Sequence, residues 1–221
     1  MKETLIKIED RYGDECLEDR TTIGSGSELK GNRKPQGYVE IYEVDKDGKK
    51  QLVGKSNLVV YLGREWLGTR IFNTANAMIT PLPAEWICWF GVGTGGAPVG
   101  DPLNPTSPTN LDTDLDTEVG FNSTDPTYGD FRSGIYYKHP FDSVAFEQDP
   151  DNSNSYLVCR IIATIGIDDA NGNNISEGAL FTAASDAGGY AGAFNMFARV
   201  TFPSIVKTTD RQLIFVWYIY C

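Results

Sequence analysis

Along residues 38–53 apolar and polar side chains alternate, break and resume. Tyr38-Val39-Glu40-Ile41-Tyr42-Glu43-Val44 alternates, Asp47-Gly48 supplies turn residues, and Gln51-Leu52-Val53 picks the alternation up again. This is the sequence form of a β-hairpin. A further apolar stretch, Leu58-Val59-Val60-Tyr61, follows. The spacing then changes: Leu62, Trp66, Leu67, Ile71 and Phe72 fall near one face at three-to-five intervals, with Arg64, Glu65 and Arg70 opposite, predicting one short helix over about 63–73. Pro81 and Pro83 close the next segment, and the continuous apolar run Trp86-Ile87-Cys88-Trp89-Phe90 predicts a buried strand.

Glycine and proline dominate residues 91–110, from Gly91-Val92-Gly93-Thr94-Gly95-Gly96 to Pro108, so a long loop is expected there. Alternation returns at Leu111–Val119. It predicts an extended strand carrying Asp112, Asp114, Asp116 and Glu118 together on a solvated face. Residues 134–137 and 143–146 read as short strands, followed by a long β-branched strand over 156–167. Asp168–Asn173 contains Asn171-Gly172, the dipeptide of tight hairpins, and Glu177–Thr182 is expected to return beside the strand before it. A glycine- and alanine-rich loop at 183–193 leads to strands over 195–202 and 212–220.

Both faces of the last strand are apolar or aromatic, so both need cover: one by a partner sheet, the other by a loop, a helix or a second subunit. Phe215, Trp217, Tyr218 and Tyr220 are therefore the interface candidates. Left open, so flat and apolar a strand would pair with other chains. The succession of strands predicts a mainly β chain, an antiparallel β-sandwich or jelly-roll-like barrel with one short helix and long loops. Residues 1–37 are polar, carry Gly24, Gly26, Gly31 and Gly37 and show little periodicity; they read as an extended N-terminal arm ahead of a single β-rich domain at 38–221.

Composition narrows the partners. With 30 acidic against 19 basic residues and a net charge of −11, the chain repels phosphate backbones and anionic lipid, so neither nucleic acid nor membrane is an expected partner. No run approaches the length of a membrane-spanning helix, and acids interrupt residues 1–15, which predicts a soluble protein made in the cytoplasm. Cys16, Cys88, Cys159 and Cys221 lie far apart without a CxxC pair, so neither zinc nor redox chemistry is expected, and Cys88 and Cys159 read as small hydrophobes.

Three patterns invite chemistry. Gly91–Gly96 satisfies GxGxxG after a strand, but Pro98, Gly100, Pro102 and Pro105 exclude the helix whose amides would hold a pyrophosphate; a turn is expected, with no cofactor. The acids Asp112, Asp114, Asp116 and Glu118 resemble the opening of a calcium loop, yet Thr117 and Ser123 occupy the positions that glycine and a bidentate glutamate should take. Asp169, Asn171 and Asn173 form a poorer second match that meets Leu180 at its last position. Metal is not expected, although the first four acids are its best candidates. The single histidine, His139, precedes Pro140, and no serine sits in GxSxG, so no catalytic residues are assigned and the chain reads as non-enzymatic.

Two stretches carry a resemblance. Gly37–Phe72, with Lys55-Ser56-Asn57-Leu58-Val59-Val60 and Gly63-Arg64-Glu65-Trp66-Leu67, resembles the opening of small virion proteins of tailed bacteriophages. Ile175–Phe181, Met196–Phe202 with Ile205 and Lys207, and Leu213–Ile219 resemble segments of phage tail-fibre and baseplate-associated proteins. The resemblance implies a structural virion subunit that assembles with copies of itself and other virion proteins. Lacking triple-helical repeats and coiled-coil heptads, it suits a tail, baseplate or neck accessory, or alternatively a capsid decoration protein, better than a fibre shaft. From another class, a carbohydrate-binding β-sandwich would display aromatics such as Trp86, Trp89 or Tyr128.

Overall fold

The computed structural model describes residues 37–55, 58–59, 86–109, 111–123, 125–148 and 157–220. All of them fall within one compact unit, Lys34–Cys221. The expected helix at 63–73 and the expected arm, Gly37 apart, lie outside the described residues, as do Cys16 and Cys221.

Twelve strands are described: β1 (Gly37–Asp45), β2 (Lys50–Lys55), β3 (Leu58–Val59), β4 (Trp86–Gly93), β5 (Glu118–Val119), β6 (Gly129–Arg132), β7 (Ile135–Pro140), β8 (Ser143–Gln148), β9 (Leu157–Ile165), β10 (Asn174–Ala183), β11 (Phe194–Val206) and β12 (Arg211–Tyr220). They form two antiparallel sheets. The first runs β2-β1-β12-β9-β8; the second runs β3-β11-β10-β4-β7-β6, with β5 added to β4. The sheets stack as a sandwich and do not close into a barrel, which settles the two architectures left open by the sequence.

The β1–β2 hairpin forms where the alternation predicts it. Asp45 Oδ1 accepts from the Asp47 and Lys49 amides, and Gly48 takes φ +79°, the left-handed angle that glycine tolerates without steric cost. β12 lies at the centre of the first sheet, paired with β1 on one side and β9 on the other. Phe215 and Trp217 point into the core between the sheets with Val39, Ile41, Phe90, Leu180 and Ile161, and the Phe215 ring lies 4.7 Å from Phe90 and 5.8 Å from Phe202. These two interface candidates are fully buried inside the chain. Tyr218 is half-buried on the outer face, and the side chain of Tyr220 is outside the described set.

Two local expectations fail. The segment 166–173 is not a hairpin: β9 belongs to the first sheet and β10 to the second, so the chain crosses from layer to layer there. Gly172 takes the left-handed angle expected of it (φ +81°), but its partner in that conformation is Ala170 (φ 55°) and not Asn171, and the returning strand meets a different sheet. Likewise, Leu111–Thr117 is not a strand; only Glu118–Val119 pairs, with β4.

Candidate functional site

The outer face of the second sheet is covered, and what covers it is the glycine- and proline-rich loop. Opposed residues in an antiparallel ladder share a face. Glu177, Ala179 and Phe181 of β10 therefore stand beside Gly93, Gly91 and Trp89 of β4, and beside Thr201, Arg199 and Met196 of β11. Trp89, Leu115, Ala179, Phe181, Ala183 and Met196 make a second apolar cluster on this side, separate from the core between the sheets. The glycines of the GxGxxG pattern leave room for it. A Cβ at Gly91 would press on Phe181 and Leu115, one at Gly93 would stand 2.4 Å from Glu177 Oε1, and one at Gly96 2.1 Å from the Ser176 carbonyl.

A buried carboxylate organises the loop. Glu177 Oε1 accepts from the amides of Gly95 (2.9 Å) and Thr117 (3.1 Å), and its Oε2 accepts from the Asp116 amide (3.3 Å). One amide of the glycine loop, that of Gly95, thus joins those of Asp116 and Thr117 on an anion, and that anion is the protein's own glutamate. Arg199 completes the arrangement. Its Nε and Nη2 donate to Glu177 Oε2, Nη1 donates to Asp112 (2.6 Å), and Nη2 donates to Asp116 (2.8 Å). Burial opposes the guanidinium charge, but Asp116, Asp112 and Glu177 outweigh it and hold the Arg199 pKa above its ordinary value. Burial likewise pushes the Asp112 carboxyl up, while hydrogen bonds from Thr109 and Arg199 prevail and hold it below the usual range.

The sequence set four acids on one wet face; the structure sends them in three directions. Asp112 and Asp116 bind Arg199, and Glu118 binds Lys138 and Arg132. Asp114 accepts from the Leu115 amide next to it. An extended strand would have placed Leu115 with Leu111 and Val119 on a common side. Instead the segment turns so that Leu115 enters the apolar cluster and two acids reach a buried cation. Lys138 is itself buried, its ammonium 4.2 Å from the Phe181 ring centre, and Asp130 joins the pair by bridging to Arg132 at 2.9 Å. Among the described residues no group of three or more His, Cys, Asp or Glu side chains could hold a metal ion.

The second calcium-like pattern has the same outcome. Lys207 is fully buried, and its ammonium donates to the Ile167 carbonyl (3.3 Å), Asn171 Oδ1 (2.9 Å) and the Thr208 carbonyl (3.1 Å). Burial lowers its pKa against the pull of Asp169, Asp168 and Asp210. Of the three side chains in that pattern Lys207 takes up Asn171, and it ties the crossover at 166–173 to the end of β11. Neither Arg199 nor Lys207 was singled out as a ligand by the sequence, since one cation amid a strand pattern carries no local signal.

No protein-family model matches the chain, and searches of curated proteins and of solved structures return no significant match. The site is therefore described by its own geometry. His139 is buried, packed edge-on 4.6 Å from the Tyr128 ring, and its Nδ1 meets the Pro140 carbonyl. Tyr128 donates to Asp169 (3.2 Å), and burial followed by that carboxylate raises its pKa. Of the three aromatics named for a sugar platform, Trp89 and Tyr128 are buried and only Trp86 is exposed.

Three large apolar side chains stand outward on the stapled loop, among exposed polar residues such as Asp101 and Asn104. Val99 is fully exposed, with Leu103 at 70% and Leu111 at 77%. The backbone beneath them is held at several points. Thr106 N–H donates to the Gly96 carbonyl, Thr201 Oγ1 to the Thr106 carbonyl and Ser204 N–H to the Pro102 carbonyl, and the Asn104 amide bridges both oxygens of Asp101. These hydrogen bonds, with the Arg199 ion pairs to Asp112 and Asp116 beyond them, fix the backbone that carries three large apolar side chains in water, an arrangement suited to contact with another surface.

Proposed function

We propose that this chain is a non-enzymatic structural subunit of a tailed-bacteriophage particle, a tail, baseplate or neck accessory made in the host cytoplasm and assembled into the virion. Its partners in this reading are copies of itself and other virion proteins. The observation that carries it is the loop: Val99, Leu103 and Leu111 stand in solvent on a segment anchored by backbone hydrogen bonds and by the ion pairs of the buried Arg199. A burial cost of several kcal/mol per ion makes such a staple expensive to build, and the return is a loop of fixed shape. Fixed loops presenting apolar side chains lose little conformational entropy on docking, which favours assembly over transient contact.

The test locates the chain. Antibody labelling and mass spectrometry of purified particles from the phage that encodes it should place it at one position with a fixed copy number. The variant carrying Val99→Ser, Leu103→Ser and Leu111→Ser should fold with unchanged thermal stability and be missing from those particles. A chain absent from purified particles overturns the reading, and full incorporation of the triple variant removes the loop from it.

A further inference from the structure

Among the described residues the two sheets end in four lateral strands: β2 and β8 in the first, β3 and β6 in the second. An edge strand offers unpaired backbone donors and acceptors, and proteins blunt such edges with lysine, proline, bulges, short length or local twist. Three of the four edges here are blunted. β2 begins and ends in lysine, and its register with β1 shifts between Ile41 and Tyr42. β3 is two residues long. β6 spans four residues, with Asp130 at φ 56° and Arg132 at its end.

β8 carries none of these devices. It runs six residues, Ser143-Val144-Ala145-Phe146-Glu147-Gln148, in unbroken register with β9, without lysine, proline or glycine. Its one charge, Glu147, is taken up within the sheet by Arg160 at 2.7 Å. Val144 and Phe146, opposite Ile161 and Cys159 on the core side of the sheet, are 50% and 66% exposed.

We infer that β8 is a self-association edge, pairing antiparallel with β8 of a second copy about a two-fold axis at Ala145. This register sets Val144 against the second copy's Phe146 and Ser143 against its Glu147. An aromatic side chain facing a β-branched one is a favourable cross-strand pair, and no like charges meet. The last point matters for a chain of net charge −11, whose overall field opposes self-association and which a contact between like charges would oppose further. A two-fold contact is also self-complementary, so it closes after two chains and does not propagate into a filament. The inference deepens the reading of the chain as an assembling subunit and rests on it for its biological setting.

Sedimentation equilibrium of the full chain over a wide concentration range tests it. The expected weight-average mass rises to twice that of the 24.3 kDa chain, and Phe146→Lys returns it to the monomer value. In a second variant, Ala145→Cys, the two-fold axis sets the introduced thiols directly opposite each other across the strand pair, so that oxidation links the dimer after a small approach of the strands. That product should be absent from the parent chain treated alike. A parent that stays monomeric throughout, or a dimer that survives Phe146→Lys while Ala145→Cys forms no added cross-link, overturns the inference. A dimer lost in the Val99, Leu103 and Leu111 variant but retained in Phe146→Lys would assign self-association to the loop and overturn the β8 contact. A monomer found at a fixed position on particles leaves the virion reading standing without the β8 contact; a β8 dimer absent from particles does the reverse.

Discussion

The second sheet is covered on both faces by opposite means. Its inner face meets the first sheet through side chains such as Phe90, Val92, Leu180 and Phe202, packed against Phe215, Trp217 and Ile161. Its outer face meets a loop through Glu177, Arg199 and Lys138, with a smaller apolar cluster between them. The inner contact is non-directional and tolerates small shifts; the outer one depends on donor and acceptor geometry, because a buried charge without its partner is far more costly than a lost methyl contact. The inner face supplies stability, and the outer face specifies the course of the loop.

Breaking the inner side should have the largest effect. Trp217→Ala removes a fully buried indole at the centre of the sandwich and is expected to cost about 3–5 kcal/mol, read as a drop in the urea midpoint or as loss of soluble protein. The indole Nε1 is buried with no hydrogen-bond partner among the described residues, so Trp217→Phe should cost much less than the alanine change.

Arg199→Ala probes the outer side. It leaves Glu177 as a buried anion and is expected to cost about 3 kcal/mol. The loss should be local: amide exchange should accelerate across 94–118 while β1, β9 and β12 keep their protection. Equal acceleration in both sheets would show that the two faces unfold as one unit and that the distinction between them has no energetic basis.

Lys207→Met is expected to cost about 1–3 kcal/mol in thermal denaturation, since a side chain of similar length stays but the acceptors at Ile167, Asn171 and Thr208 lose their donor. A variant as stable as the parent would mean that those oxygens find water at no cost.

The smallest effect is a pH dependence. The folded pKa of Asp112 lies below its unfolded value near 3.8, so its stabilisation is present above that value and lost as the pH falls through the folded pKa. Acid titration below about pH 4 should release the loop, with Trp89 emission as the reporter, and Asp112→Asn should flatten the transition. Asp114→Ala, at a carboxylate that among the described residues bonds its neighbouring amide, should leave the titration unchanged.

Ten of the twelve strands lie on stretches whose alternation or apolar runs predict them. β6 was not foreseen: Gly129-Asp130-Phe131-Arg132 is short, contains a glycine and bends at Asp130, so it has no period to detect. β5 is the remnant of the strand expected at 111–119. The reading of Gly91–Gly96 as a turn and not a nucleotide loop rested on the prolines after it, but the reason glycine is required there, the Glu177 carboxylate and the Ser176 backbone lying against it, came from residues some eighty positions away. In the same way, nothing near Asp112 or Asp116 announces Arg199.

The sequence by itself determined the mainly β character, the positions of most strands, the turn at Asp45–Lys49 and the buried apolar face of β12, because each follows from a period-two pattern or a backbone preference that acts over a few residues. The opposite face of β12, with Ile214 and Tyr218, is only half-buried. Only the tertiary structure decided that 166–173 crosses between sheets, that the acids of 112–118 separate, and that Glu177, Arg199 and Lys207 anchor the loops. Those outcomes depend on which strands become neighbours. Charges fall into register across 82 to 87 residues of chain only after the sheets have stacked and the local dielectric has made their pairing necessary.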